Sequence, residues 1–397
     1  MRIIFFSLRN LILVLISLAL IISLTELSLR LFDLPPYPDH LPTGIYQNDN
    51  ETGAVFAPDT KDYHSSYEFK VSMDINSMGL RDRKDLTAKS KPFAFAIGDS
   101  FTEGSGLNIE ETIPKKLEVK LGKAVANLGL SSIGTHEAMF LYERYLTRFV
   151  SKPKLAILFF YVGNDFYDNA QTEHSPVVRV IDGHRIHRGE SADKVVTSGH
   201  VIRLLGKQGE LLSEKRDREF HPRVIIGLPF VEQTKIYNMI INTLPIKQPM
   251  TGKRPCTIPI AIPGLFNKHY DWDKSVEWRE TKKWISKFER LSKESGVTPM
   301  VVIIPAKHQV IPELLSQLPE CGVPENIDTD TSVNMLRGFL EKEGIQYLDM
   351  TDEIRKNIPE TDRQKLYFVS DSHLSPRGAD FVAGKVFNVI VGKNSPQ

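Results

Sequence analysis

The chain has 397 residues, which is enough for one large domain or two ordinary ones. Its formal net charge of +1 gives no indication of nucleic acid or of an acidic partner. The two cysteines, Cys256 and Cys321, form no CxxC pair and have no histidine cluster beside them, which argues against a zinc site.

The N-terminus is the most apolar part of the chain. Residues 11–25 are uninterrupted by charge, with Arg2 and Arg9 before them and Glu26 and Arg30 after them. We predict an uncleaved membrane anchor over residues 1–33, with a cytoplasmic N-terminus and the rest of the chain outside the membrane. A cleaved signal, giving a secreted protein, and a helix packed on the domain itself are the alternatives. Outside the membrane Cys256 and Cys321 can pair, although two buried free thiols fit equally well.

Residues 34–90 read as a proline-rich tether and an N-terminal extension. From residue 91 to 169, strand and helix patterns alternate, and the strands are nearly continuous apolar runs. Residues 170–295 lose this order and are interpreted as an insertion, which begins with a hairpin that turns at Asp182-Gly183. Regular order returns with a helix predicted at DKSVEWRETKKWISKFERLSKESG, and residues 296–397 are the second part of the domain. The fold class is therefore α/β, a three-layer sandwich with a central parallel sheet.

A small polar turn, AIGDSFTEG, follows the first of these strands and precedes a helix. Parallel sheets bind ligands at the carboxyl ends of their strands, and Ser100 lies at such an end. Ser100 is therefore either a nucleophile or only a helix cap. Asp99, next to it, is a candidate substrate contact.

Two further loops at the same edge carry polar groups. Asn164, in VGNDFYDN, follows the third strand and can donate a side-chain hydrogen bond to an oxyanion. An Asx turn or a helix cap is the ordinary role of such a residue. Residues 127–137 follow the second strand, where free backbone N–H groups at a helix start attract negative charge.

The last loop, FVSDSHLSPRG, places His373 two residues after Asp371. A histidine at this edge is a candidate general base, and a carboxylate beside it can fix its tautomer. Each signal is weak alone. Together they supply a nucleophile, oxyanion donors and an Asp/His pair, which is the set that acyl transfer requires.

These motifs resemble those of the SGNH (GDSL-type) hydrolases over roughly residues 92–169 and 297–392. GDSFTEG looks like the first block, GND like the third and DSHLSPRG like the last. The resemblance implies that Ser100 is the nucleophile and a backbone oxyanion donor, that Asn164 is the side-chain donor, and that His373 is the base oriented by Asp371. The lead-in INSMGLRDR is similar to that of membrane-anchored bacterial members associated with surface polysaccharides.

The chain departs from the family pattern in two places. The second block usually has a glycine five residues after its asparagine, whereas this chain has Ser132 there and Gly134 two residues later. Ser132 can still supply a backbone N–H, at the cost of strain if its φ is positive. The spacing of two between Asp371 and His373 resembles that of members related to polysaccharide O-acetyl transfer, which leaves the direction of the reaction open.

Other residues at this edge are weaker candidates. Asp165 and His308 are considered as substrate contacts, and His308 also as a rival base.

Three functions stay open. The first is an extracytoplasmic O-acyl esterase on a carbohydrate or lipid, and the second is an O-acetyltransferase on an exported polysaccharide. The third is a catalytically silent binding protein with the same fold, with the substitution at Ser132 as its only hint. We expect no metal, no organic cofactor and no nucleic acid, with the membrane and exopolysaccharide machinery as partners.

Overall fold

A computed structural model gives the structure of the chain. It describes residues 8–37, 40–83, 86–171, 178–187, 192–198, 201–208, 210–216, 234–237, 239, 270–317, 328–369 and 371–392. Cys256 and Cys321 lie outside the described residues, so their pairing stays a prediction.

The centre of the fold is a five-stranded parallel sheet. In chain order its strands are β5 (Ala94–Gly98), β6 (Val125–Gly129), β7 (Leu155–Tyr161), β13 (Thr298–Ile304) and β14 (Tyr347–Asp349). Their order across the sheet is β14-β13-β7-β5-β6. All residues of β5, β6 and β7 are buried, which explains the continuous apolar runs in the sequence.

Helices cover both faces of this sheet. In chain order the helices are α1 (Leu8–Leu31), α2 (Ser100–Glu103), α3 (Ile113–Leu121), α4 (Thr135–Arg148), α5 (Asp165–Ala170), α6 (Val276–Glu294), α7 (Lys307–Val310), α8 (Thr331–Glu343), α9 (Met350–Asn357), α10 (Glu360–Arg363) and α11 (Pro376–Ile390). One core cluster joins the sheet to α4, α6 and α8, and a second joins it to α3, α9 and α11. The predicted three-layer α/β/α sandwich is confirmed.

The helix α6 ends the segment that we predicted as an insertion. Its residues Ile285 and Phe288 are fully buried in the core shared with α4, and it leads directly into β13. Regular α/β order therefore resumes at about residue 276, earlier than the boundary at 295.

Among the described residues, four small antiparallel sheets lie outside the central one. The first two, from the N-terminal extension, are β1 (Tyr46–Asp49) with β2 (Gly53–Phe56), and β3 (Lys61–Ser66) with β4 (Phe69–Asp74). The others are β8 (Val178–Ile181) with β9 (His184–His187), and β10 (Lys194–Ser198) with β11 (Val201–Leu205) and β12 (Leu211–Arg216). The hairpin β8–β9 turns at Asp182-Gly183, both with positive φ, as the sequence predicts.

One described helix is long and apolar enough to cross a membrane, by its length and composition. It covers Asn10–Leu31, with a mean hydropathy of 2.4 in its most apolar window, none of which is buried against the protein. The alternative that this helix packs on the domain is therefore wrong. A membrane anchor and a signal sequence both have these properties.

Candidate active site

The turn after β5 places Ser100 at the first position of α2. The N-cap is Asp99, whose carboxylate accepts a hydrogen bond from the N–H of Phe101 at 2.9 Å. Gly98 has a φ of 155°, and a Cβ there would lie 2.4 Å from Thr102 Oγ1 and 2.7 Å from the carbonyl oxygen of Phe159. The capping role therefore falls to Asp99, and the Ser100 hydroxyl is left for another role.

One hydrogen-bonded line joins Ser100, His373 and Asp371. His373 Nε2 lies 2.8 Å from Ser100 Oγ, and His373 Nδ1 lies 2.5 Å from Asp371 Oδ1. Asp371 Oδ1 also accepts the backbone N–H of His373 at 2.7 Å. The spacing of two residues thus lets one carboxylate oxygen hold both the ring and the backbone of the histidine. This arrangement fits a nucleophile, a base and an orienting group.

The two charged members of this line shift each other's pKa. Burial raises the pKa of Asp371, but the charge of His373 and its hydrogen bonds outweigh burial and lower the pKa to about 2. Burial lowers the pKa of His373, whereas the Asp371 carboxylate and its hydrogen bond raise it by more, so the net shift is upward. Asp371 is therefore ionised at neutral pH, and it stabilises the imidazolium that a general base forms.

Asn164 lies at the carboxyl end of β7 and is the N-cap residue of α5. Its Nδ2 donates to Asp168 Oδ2 at 2.8 Å, and the side chain also hydrogen-bonds the Asp99 carboxylate, so a developing oxyanion would compete with these acceptors for the amide. Asp168 is buried, and burial together with the charge of Asp99 raises its pKa to about 8. Asp168 therefore holds the Asn164 amide by a hydrogen bond, and its own carboxyl group is largely neutral at pH 7. We did not predict this role from the sequence.

Two of the predicted substrate contacts are buried acids. Burial raises the pKa of Asp99 to about 6, and burial with the charges of Asp99 and Asp168 raises that of Asp165 well above its usual range. Asp165 is 2% exposed, and its Oδ2 accepts the N–H of Tyr161 at 2.9 Å. Asp99 is 1% exposed. We correct both predictions, because neither side chain is open to substrate and both hold the backbone of the site.

The loop after β6 carries the departure from the family pattern. Ser132 has a φ of 62°, so the predicted strain of a non-glycine residue in the left-handed region is present. Its backbone N–H makes no hydrogen bond within the described part of the chain, which leaves it open to a ligand. The N–H of Gly134 donates to Glu137 Oε2 at 3.0 Å. Gly134 is therefore not an oxyanion donor, which corrects that prediction.

His308 lies in α7 and is 3% exposed. Burial lowers its pKa to about 4, so the ring is neutral. The prediction that it contacts substrate or replaces the base is wrong, because its ring is enclosed. Its neighbour Lys307 reaches the site instead, donating to the carbonyls of Val369 at 3.1 Å and of Asp371 at 2.6 Å. Lys307 thereby fixes the loop that presents Asp371 and His373.

Arg81, from the N-terminal extension, fixes the segment that follows Ser100. Its guanidinium is 2% exposed and donates to four carbonyl oxygens. The acceptors are Glu103 at 3.0 Å, Gly104 at 2.6 Å, Leu107 at 2.6 Å and Ser72 at 3.0 Å. The first two carbonyls end α2, the helix that Ser100 starts. Arg81 therefore ties the hairpin β3–β4 to the turn that carries Ser100.

The same hairpin also contacts the histidine loop. Glu68 accepts the N–H of Val369 at 2.7 Å, and the Phe69 ring lies 5.2 Å from that of Phe368. His64 packs edge-on against Phe69 at 5.0 Å, and burial, helped by the charge of His373, lowers its pKa to about 3. This contact could not be predicted from the sequence, because hairpin alternation shows which side chains face inward but not what they face.

No group of three or more His, Cys, Asp and Glu residues in the described segments is arranged to hold a metal ion. The chemistry that the site itself offers is nucleophilic attack by an activated serine, with backbone and amide donors for a developing negative charge.

One family model matches part of the chain. Residues 265–397 match the family model described as "SGNH hydrolase-like domain, acetyltransferase AlgX". This segment includes Asp371 and His373 but not Ser100 or Asn164. No curated protein matches the chain.

Several solved structures are similar to the chain at low identity. An acetyl xylan esterase, AlAXEase, is 10% identical, with a TM-score of 0.38, and the match covers 75% of this chain and 98% of that one. A GDSL-like lipase from Bacteroides thetaiotaomicron VPI-5482 is 8% identical, with a TM-score of 0.35 and coverages of 76% and 88%. The SGNH-hydrolase family esterase AlinE4 is 15% identical, with a TM-score of 0.31 and coverages of 78% and 98%.

The family model covers the last third of the chain, and the parallel sheet extends the α/β fold back to residue 94. The predicted resemblance is confirmed over residues 265–397, which match the model of an SGNH hydrolase-like domain.

Proposed function

We propose that this chain is a serine-dependent acyl-transfer enzyme that acts on ester bonds of a carbohydrate or lipid outside the cytoplasm. The observation that carries the proposal is the continuous line from Ser100 Oγ through His373 to Asp371, at 2.8 and 2.5 Å. A serine in such a line is activated when the histidine accepts its proton.

In the first half of the reaction, His373 Nε2 takes the Ser100 proton as Oγ attacks the acyl carbonyl. The negative charge that forms on the carbonyl oxygen is stabilised by the N–H of Ser100, the N–H of Ser132 and the amide of Asn164. The tetrahedral species then collapses, the ester C–O bond breaks, and His373 gives its proton to the leaving alcohol. An acyl-enzyme on Ser100 and a free alcohol result.

In the second half, His373 removes a proton from water or from an acceptor hydroxyl, whose oxygen attacks the acyl-enzyme. Water releases a carboxylic acid, which is ester hydrolysis. A sugar hydroxyl takes the acyl group, which is transfer, and Ser100 recovers its proton in both cases. The residues of the line serve both outcomes equally.

O-Acetyl transfer to an exported polysaccharide is the second candidate, and one observation favours it. The family model that matches residues 265–397 is described as that of acetyltransferase AlgX. The apolar helix Asn10–Leu31 supports an enzyme held at a membrane that faces exported substrates. Exopolysaccharide machinery is then the expected partner.

The test follows the fate of the acyl-enzyme. The full chain in detergent is mixed with p-nitrophenyl acetate, with and without an oligosaccharide acceptor, and acetate and acetylated glycan are quantified by mass spectrometry. Acetate alone supports the esterase, and acetylated glycan at the expense of acetate supports the transferase. A folded protein that releases no p-nitrophenol above the Ser100→Ala background would contradict both and favour a silent binding protein.

A further inference from the structure

One peptide unit in the loop after β6 carries both an anchored carbonyl and an open N–H. The carbonyl oxygen of Ser131 accepts a hydrogen bond from Arg185 Nη1 at 2.7 Å. The N–H of the same peptide belongs to Ser132, the residue whose N–H is the proposed oxyanion donor. The loop follows β6 at the sheet edge where Ser100 follows β5, because Gly98 pairs with Gly129 in the two neighbouring strands.

A peptide unit is planar, so its two polar groups cannot turn independently. The described chain has its cis peptide bond at Pro35-Pro36, so the Ser131–Ser132 unit is trans and its C=O and N–H point in opposite directions. A donor that holds the Ser131 carbonyl on one side therefore also sets the direction of the Ser132 N–H on the other side.

The strained backbone of Ser132 favours rotation of this peptide unit. Ser132 has a φ of 62°, a strained region for a non-glycine residue that persists only when the surroundings over-determine it. The Ser131 N–H is held by the Glu103 carboxylate, which fixes the unit before this one. The carbonyl of Ser131 has Arg185 as its hydrogen-bond donor among the described residues.

Arg185 is itself held firmly in place. It lies on β9, and its guanidinium sits 4.5 Å from the centroid of the Tyr46 ring in a cation–π contact. The hairpin is joined to the N-terminal extension by Asn48, whose side chain donates to the carbonyl of Val180 and accepts its N–H, both at 2.7 Å. The guanidinium is therefore pre-positioned on two anchored elements, which lowers the entropy cost of its bond to Ser131.

We propose that Arg185 is a positioning residue for the oxyanion hole: it holds the Ser131–Ser132 peptide so that the Ser132 N–H faces the reacting carbonyl. The proposal rests on the proposed acyl transfer at Ser100. A charged donor on the Ser131 carbonyl also polarises the peptide, so the N–H becomes a stronger donor. A glycine at position 132 would adopt the positive φ without strain. Ser132 instead depends on the contact between Arg185 and the Ser131 carbonyl to hold this conformation.

The test compares Arg185→Met and Arg185→Lys with Arg179→Met in the full chain in detergent. Arg179 lies on the same hairpin and donates to the carbonyl of Ala192 at 2.6 Å, so its variant removes the same charge away from the loop. We measure kcat and KM for p-nitrophenyl acetate and binding of a trifluoromethyl ketone, whose adduct with serine carries an oxyanion. Thermal unfolding by circular dichroism reports the folded fraction.

Loss of one properly held oxyanion donor typically costs on the order of 10²–10³ in rate, and we expect Arg185→Met to lose about 10–100-fold in kcat because the N–H is misdirected rather than removed. We expect KM within about 3-fold of wild type, weaker ketone binding by the same factor as kcat, a smaller loss for Arg185→Lys, and wild-type values for Arg179→Met.

Wild-type kcat and ketone binding in Arg185→Met, or an equal loss in Arg179→Met, would overturn this proposal and leave the proposed function intact. If Arg185→Met does not fold, Arg185→Lys decides instead. A fall in its kcat with KM unchanged supports the proposal, and a wild-type kcat overturns it. Failure of the proposed function has a different signature, since the wild-type protein itself would then show no turnover and bind no ketone.

Discussion

His373 Nε2 lies 2.8 Å from Ser100 Oγ, although the two residues are 273 positions apart in the chain. Ser100 is delivered by the turn after β5, the second strand from one edge of the sheet, and His373 by the loop before the last helix. The turn after β5 leaves the carboxyl edge of the sheet, where parallel strands leave room for a site. The loop that carries His373 is held at the same edge by Lys307, which follows β13 and donates to the carbonyl of Asp371.

The first prediction concerns the pH dependence of the serine. His373 must be neutral to accept the Ser100 proton, and Asp371 raises the pKa of His373 because the carboxylate stabilises the imidazolium. The rate of labelling by a fluorophosphonate should therefore rise with pH, with a midpoint above about 6.5, the usual pKa of histidine.

In Asp371→Asn the stabilising charge is gone, so the midpoint should move to lower pH. The plateau rate should fall on the order of 10³–10⁴-fold, since the ring loses its orienting carboxylate. Labelling of wild type and variant across pH 4–10 measures both values. A midpoint that stays in place in Asp371→Asn would show that the carboxylate does not set the pKa of the base.

The second prediction concerns the amide of Asn164. Asn164→Ala removes a side-chain donor that Asp168 holds at 2.8 Å, so the stabilisation of the oxyanion is lost. We expect kcat for p-nitrophenyl acetate to fall on the order of 10²–10³-fold, with little change in KM. Thermal unfolding checks that the variant is folded. Equal falls in substrate affinity and rate would instead assign Asn164 to substrate binding.

The third prediction concerns the strained Ser132. Ser132→Gly removes the steric cost of the positive φ and keeps the N–H, so kcat should stay within about 3-fold of wild type. Ser132→Val keeps the N–H too, but a β-branched residue at a φ of 62° is strongly disfavoured. We expect its kcat to fall at least about 10-fold, corresponding to roughly 1.4 kcal/mol of strain or displacement.

Steady-state kinetics of both variants decide this prediction. A fully active Ser132→Val would mean that the loop conformation has no part in the reaction.

The fourth prediction concerns the stability that buried Arg81 provides. Arg81→Met removes four hydrogen bonds and leaves the carbonyl oxygens of Ser72 and Leu107 without that donor. The other two acceptors keep a donor, which is Asn127 Nδ2 for Glu103 and the N–H of Leu107 for Gly104. Each unsatisfied buried group costs about 1–3 kcal/mol, so the free energy of unfolding should fall by at least about 2 kcal/mol. The matched control is Arg83→Met, because Arg83 is 49% exposed and pairs with Asp74 and Glu110 at the surface. Its loss should cost about 1 kcal/mol or less. Urea unfolding followed by circular dichroism measures both, and equal costs would contradict the account of Arg81.

The sequence allowed prediction of what depends on local pattern. Runs of apolar residues predict the buried strands, and a short turn motif predicts the hairpin at Asp182-Gly183. Short motifs also identify the three residues of the hydrogen-bonded line, which are Ser100, His373 and Asp371. The positions of Asp165, Gly134 and His308 within those motifs did not show their orientation. Each lies at the right edge of the sheet, but Asp165 and His308 are buried, and the N–H of Gly134 is bonded to the Glu137 carboxylate.

The contacts that sequence reasoning missed come from distant segments. Arg81 and Arg185 reach the site from the N-terminal extension and from the hairpin β8–β9, and Lys307 from the end of β13. Nothing in their local sequence marks an arginine or lysine as a buried donor to a loop carbonyl, because such a partner is set by tertiary packing. The one usable signal was the position of Lys307 beside the candidate His308.

The most direct test of the account is labelling of the full chain in detergent with a fluorophosphonate, comparing wild type with Ser100→Ala. The serine that His373 activates should form a phosphonylated adduct, located on Ser100 by mass spectrometry, and Ser100→Ala should give none while unfolding at the wild-type temperature. A wild-type protein that is folded and unlabelled, or a Ser100→Ala protein labelled at the wild-type rate, would contradict the assignment of Ser100 as the nucleophile.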